Sequence, residues 1–184
     1  MKHRPLLLVT LGHPGSGKTH FSERLAMKDD MVHLSSDELR ARMYDSPSYE
    51  PEEHRLVFAT QDALAEKILK VGLSVICDAN YNFVRHRTRM RRIAKRCHAD
   101  CIVIWIQTHE DTALKRIANR LRYVVRGRKY LHRPLDVTIF KRLQEELEHP
   151  RKHERVIVID GHKPFNVQYA QYKKQLRGIL NKNV

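Results

Sequence analysis

The sequence predicts a three-layer α/β fold built on a five-stranded, mainly parallel sheet. Two observations predict it. Five short apolar runs recur along the chain, at 6–11, 32–35, 73–78, 101–106 and 155–160, and segments of helical period separate them. The first run leads directly into the glycine-rich stretch Gly12-His13-Pro14-Gly15-Ser16-Gly17-Lys18-Thr19, after which a helical segment begins. A strand that is apolar throughout its length has both faces covered, the condition of parallel sheets flanked by helices.

The elements follow in order. Leu6 to Leu11, between Pro5 and Gly12, is a buried strand, and a helix runs from His20 to Lys28. Val32 to Ser35 is a weaker strand, with Ser36 or Asp37 as N-cap of a short helix through Met43. Two prolines and several acids make Tyr44 to Glu53 a loop. Leu56, Ala59, Ala63, Leu64, Ile68 and Val71 keep a helical period that Gly72 ends. Leu73 to Asp78 is the third strand, and Phe83 to Cys97 is an amphipathic helix with Met90, Ile93, Ala94 and Cys97 inward. Cys101 to Ile106 is the fourth strand, and a helix follows from Glu110 to about Leu121. The remaining elements are a helix over 135–147, a strand over 155–160 and a terminal helix from Asn166 to Leu180. No repeat or linker divides the chain, so residues 1–184 read as one domain.

Composition bears on partners. Thirty-five Lys and Arg against 21 Asp and Glu give a net charge of +14 and a pI near 10.0, which favours polyanions. The helix 83–97 concentrates this charge: Arg85, Arg89, Arg92 and Arg96 fall on one stripe, widened by Arg87, Arg91 and Lys95. Like charges at helical spacing repel slightly, and tracking a nucleic-acid backbone is one reason to collect them. The three cysteines lack CxxC spacing and read as reduced thiols, an expectation of a cytoplasmic protein. No apolar run approaches the length of a membrane span, so no membrane partner is expected.

The loop Gly12 to Thr19 fits G-x-x-x-x-G-K-[ST] between a strand and a helix, the context a triphosphate cradle requires. Its backbone N–H groups and the helix N-terminus suit the phosphates of ATP. Lys18 is expected on the β- and γ-phosphates, Thr19 on Mg²⁺, and His20 beside them. Asp78, ending the third run, is expected to complete the Mg²⁺ shell. Ala79 and Asn80 follow it, so no adjoining carboxylate activates water, and a guanine-reading NKxD is missing because the tail reads Asn181-Lys182-Asn183-Val184. A motor and a GTPase switch therefore lose ground to a kinase.

A kinase needs an acceptor side. Asp37 follows the second strand, at the sheet edge where such folds bind ligands, and is the expected acceptor base. Arg40, one turn on, is expected to face the same cleft and hold an anionic group of the acceptor, with Asn80 and Arg85 nearby. Arginines crowd the stretch from Arg116 to Arg133, where a lid over about 120–133 would bring Arg120 and Arg126 onto the transferring phosphoryl group.

With these residues in place the chain resembles the P-loop kinase group that includes the 5′-polynucleotide kinases, chloramphenicol phosphotransferase and the zeta toxins. The resemblance rests on Gly12 to Thr19, on Ser36-Asp37 with Arg40, on Asp78-Ala79-Asn80, on the arginine-rich lid, and on the stretch from Phe140 to Ile159. It implies a P-loop NTPase fold of the kinase type, ATP as donor, Asp37 as acceptor base and a lid arginine on the phosphoryl group. In the polynucleotide kinases it also implies a 3′-phosphate of the acceptor on the residue matching Arg40. The expected activity is phosphoryl transfer to the 5′-hydroxyl of RNA or DNA. Transfer to a small-molecule hydroxyl and an ATP-sensing nucleic-acid-binding module without transfer activity remain as alternatives.

Overall fold

The structure, a computed structural model, describes residues 4–120 and 137–181, with Arg120 described by its backbone alone. Five strands form one sheet: β1 Leu6–Leu11, β2 Val32–Ser35, β3 Val75–Asp78, β4 Asp100–Gln107 and β5 Val156–Asp160. Their order is β2-β3-β1-β4-β5, and every pairing is parallel. The helices are α1 Lys18–Lys28, α2 Ser36–Met43, α3 Pro51–Lys70, α4 Val84–Arg96, α5 Glu110–Arg120, α6 Val137–Glu145 and α7 Phe165–Leu180.

Alternation along β1 creates the layers. Leu7, Val9 and Leu11 pack with Phe58, Leu69, Met90 and Ile93 of α3 and α4. Leu8 points the other way, into Phe21, Leu25, Tyr172 and Leu176 of α1 and α7. Both faces are covered, which is why the strands read as unbroken apolar runs. Thr10 interrupts the run for a structural reason. Its hydroxyl donates to Ala79 O at 2.8 Å and accepts from Ala79 N at 3.1 Å, fixing the backbone just after Asp78. Thr10→Val keeps the shape and deletes both bonds. The expected loss is about 1–2 kcal/mol, read as a lower urea midpoint at unchanged m-value.

Some boundaries differ from expectation. α1 starts at Lys18 rather than His20, so the loop's own lysine and threonine form its first turn. Ser35, not Ser36 or Asp37, caps α2, accepting from Glu38 N at 3.3 Å. That leaves Asp37 in the first turn of α2, just inside the cap. α3 begins at Pro51, whose missing N–H is harmless at a helix start. Gly72, at φ +84°, ends α3 as expected, and Leu73 is exposed before β3 begins at Val75.

Candidate functional site

Parallel pairing throughout places the carboxyl ends of all five strands at one edge. Leu11 runs there into the phosphate loop. The loop is pressed against its neighbours: a Cβ on Gly12 would lie 2.6 Å from Ile106 O, and one on Gly15 would lie 2.5 Å from Ala113 O. Both glycines also have positive φ, +145° and +74°, so a side chain is excluded twice over. His13 is nearly buried, with Nε2 2.8 Å from Thr108 O and Nδ1 2.9 Å from Pro14 O. Pro14, in the turn between His13 and Gly15, is half-buried. Ser16 Oγ is buried and has no hydrogen-bond partner among the described residues. Gly17, at φ +104°, is the N-cap of α1.

Lys18 Nζ donates to Gly12 O at 2.8 Å and to His13 O at 3.1 Å, curling over the loop. Thr19 and His20 follow in the first turn of α1, and burial followed by Arg24 lowers the pKa of His20. Left-handed glycines, an orphaned serine hydroxyl and a lysine held across the loop fit a triphosphate. Asp78 is almost fully buried at the end of β3, with His33 Nε2 3.4 Å from its Oδ2. Ser35 pairs in register with Asp78. Asp37 therefore leaves the same edge two residues later, one strand away from Asp78 and two strands from β1, whose loop leads into Thr19.

Two expectations are revised. Arg40 does not stand open in the cleft. It is buried, donates from Nε to Glu53 Oε1 at 2.7 Å, approaches Asp37 Oδ1 at 3.6 Å and stacks over Tyr49 at 4.7 Å. Its charge is already met by Glu53, which the sequence placed at the end of a loop and the structure places in the first turn of α3. Burial alone would raise the Glu53 carboxyl, but hydrogen bonds from Ser48, Arg40 and Tyr49 outweigh it and hold the pKa below the ordinary 4.5. Its stabilising contribution is thus present above about pH 4.5 and fades as pH falls through the lowered folded value. Wild type and Glu53→Gln are expected to differ most in unfolding free energy at neutral pH and to converge only as the pH falls below the lowered folded pKa of Glu53.

The basic stripe is the second revision. Arg89 pairs with Asp62 and Arg96 with Glu66, both on α3. Arg87 and Arg91 share the buried carboxylate of Glu154 at 2.9 and 2.7 Å. Much of the charge on α4 is therefore spent within the fold. Arg85 is exposed and stacks on Phe83 at 4.4 Å, while Asn80 is half-buried with Oδ1 unpartnered among the described residues. His86, beside them, is lowered to about 4 by burial and then by Arg89 and Arg85, and His54 is lowered by burial and Arg40. Both imidazoles are neutral at physiological pH.

Among the arginines near the loop, the sequence favoured Arg120 and Arg126. The expected lid residue Arg126 and the side chain of Arg120 lie outside the described residues. Arg116, which the sequence offered only as the start of the arginine-rich stretch, reaches the site. It donates to Gly15 O at 3.4 Å, to Ser16 O at 3.3 Å and to Gly161 O at 2.9 Å, tying the loop to the turn after β5. Its place two turns into the helix that leaves the β4 edge was the available signal.

No helix among the described residues is long and apolar enough to cross a membrane. No curated protein is significantly similar in sequence. Among solved structures, a protein from Chloroflexus aurantiacus assigned as a kinase superposes with TM-score 0.74 at 18% identity, covering 97% of this chain and 99% of that one. The APS kinase of Mycobacterium tuberculosis, solved with AMPPNP and APS, gives 0.65 at 15% identity, with 95% and 98% covered. Kti12 of Chaetomium thermophilum, solved with ADP-AlF3, gives 0.68 at 18%, with 96% and 98% covered. These likenesses show a P-loop kinase-like fold. Residues 7–134 match the family model described as an AAA domain, and the chain belongs to that family.

Proposed function

We propose that this chain is an ATP-dependent phosphotransferase that moves the γ-phosphate to the 5′-hydroxyl of a polynucleotide, RNA or DNA, in the cytoplasm. The observation that carries the transferase reading is the register of β2 with β3. It sets Ser35 opposite Asp78, so the proposed base Asp37 and the proposed magnesium carboxylate leave one sheet edge beside the cradle.

In this reading the loop N–H groups and Lys18 bind the β- and γ-phosphates. Thr19 and Asp78 would hold Mg²⁺, which would neutralise phosphate charge when bound. Asp37 accepts the proton of the attacking hydroxyl, and Arg40 keeps Asp37 in place from 3.6 Å. Arg116 holds the loop in shape, and Arg120 and Arg126 meet the transferring phosphoryl group from the lid. Asn80 and Arg85 flank the acceptor. The net charge of +14 supports a polyanionic acceptor.

A specific observation favours a second acceptor class. Glu53 neutralises Arg40 and carboxylates take most of α4, as expected where the acceptor is a small molecule with a hydroxyl. Transfer from labelled ATP with Mg²⁺ to 5′-hydroxyl RNA, 5′-hydroxyl DNA, nucleosides and small alcohols separates the two. Label on the oligonucleotides is the expected result. Label on a small alcohol alone overturns the polynucleotide acceptor, and label on none of them overturns the transferase.

A further inference from the structure

The amino ends of the strands gather at the edge opposite the phosphate loop, about 23 Å away along β4 at 3.3 Å per residue. A cavity of about 430 Å³ opens there between the start of β1, the end of α4 and the segment before β5. Its lining includes Arg4, Arg91, Lys95 and Arg155, with Asp100 as the one carboxylate among the lining residues. His98 and His153 complete the polar wall. This is a concentration of positive charge that no part of the proposed phosphoryl transfer uses.

The cavity is built rather than incidental. Arg91 is fixed by Glu154 Oε1 at 2.7 Å, by Thr88 Oγ1 at 2.8 Å and by His153 Nε2 at 3.1 Å. Arg155 Nη1 is held at 2.5 Å from Asp100 Oδ1. Three of the last four carbonyls of α4, which would repel an anion, accept hydrogen bonds: Cys97 N donates to Ile93 O, His98 N to Lys95 O and Ala99 N to Ala94 O. His98 takes a left-handed conformation, φ +51°, to make that turn. Arg4 and Lys95 remain exposed at the rim. The carboxylates Asp100 and Glu154 are outnumbered by the cations they serve, so the cavity keeps a positive excess.

We propose that this cavity is a second anion site, which binds a phosphate group through Arg4, Arg91, Lys95 and Arg155. Guanidinium forks match phosphate oxygens in pairs. A volume of this size exceeds one phosphate and leaves room for the group that bears it. The bearer is either a polynucleotide backbone or a free phosphorylated molecule. The site does not depend on which acceptor the catalytic edge takes.

The test uses the full chain saturated with AMPPNP, so that the phosphate loop is filled. Pyrophosphate and 5′-hydroxyl oligonucleotides of graded length are titrated by calorimetry into wild type, Arg4→Glu and Lys95→Glu. Both positions are exposed and outside the catalytic machinery, and unchanged AMPPNP affinity verifies folding. The expected result is binding that each charge reversal weakens about tenfold or more. Oligonucleotide affinity that grows with length and loses this growth in the variants identifies a polynucleotide backbone. Variant-sensitive pyrophosphate binding with no effect of length identifies a free phosphate. No binding of either probe, or equal binding by wild type and variants, overturns the site, and γ-phosphate transfer measured separately keeps that outcome distinct from a failure of the kinase reading.

Discussion

Arg87→Met is expected to destabilise the fold by about 3–5 kcal/mol, because it leaves a buried carboxylate without its main partner. Arg87 is fully buried. Its guanidinium meets both Glu154 oxygens, at 2.9 and 3.2 Å, and donates to Tyr81 O and Asn82 O at 2.9 Å and to Glu148 O at 3.1 Å. Burial alone would raise Glu154, yet Arg87, the Arg151 N–H and Arg91 hold its pKa below the ordinary value. The methionine removes donors from four carbonyls, those of Tyr81, Asn82, Glu148 and His149, as well as from the carboxylate. Urea denaturation at pH 7 reads the loss. Arg87→Lys should recover only a small part, since one ammonium cannot span carbonyls and carboxylate together. Arg87→Met with Glu154→Leu should recover more, because the stranded charge is gone. Because Arg87 links the Tyr81–Asn82 backbone to the segment before β5, the single variant is also expected to loosen the loop that carries Asn80.

Asp37→Asn is expected to lower phosphoryl transfer by about 10²–10⁴-fold while leaving AMPPNP affinity within about twofold. The side chain is 47% exposed and lies 3.6 Å from Arg40, and the N-cap of α2 is Ser35. Its replacement should therefore shift the urea midpoint little, in contrast to Glu53→Gln. Single-turnover transfer from labelled ATP checks the first part and calorimetry with AMPPNP the second. Unaltered transfer would remove Asp37 from the role of base. Loss of nucleotide binding together with transfer would point to damage at the cradle instead.

Much of the fold was legible because its signals are local. An unbroken apolar run, a glycine that needs positive φ and a lysine followed by threonine act within a few residues of themselves. They fixed the strands, the cradle and the edge on which Asp37 and Asp78 stand. The register of β2 with β3 then turned that shared edge into a neighbourhood of two carboxylates.

The charged groups were misread because their partners are distant in sequence. Arg96 meets Glu66 across 30 residues, and Arg87 and Arg91 meet Glu154 across 67 and 63. A helical wheel shows which arginines share a face, but not which carboxylates the packing of α3 and β5 brings against them. Arg40 behaves in the same way. Its spacing from Asp37 put the two on one side of α2, yet only the docking of α3 placed Glu53 on the guanidinium.

By itself, then, the sequence determined a parallel α/β sheet with a phosphate loop after its first strand, since short-range sterics and burial decide both. Tertiary structure alone decided which cations stay open to a ligand. Coulombic pairing acts through space, and the fold chooses the neighbours. It closed Arg40 and much of α4 with carboxylates, set Arg116 against the loop, and left a positive excess at the far edge around Arg4 and Lys95.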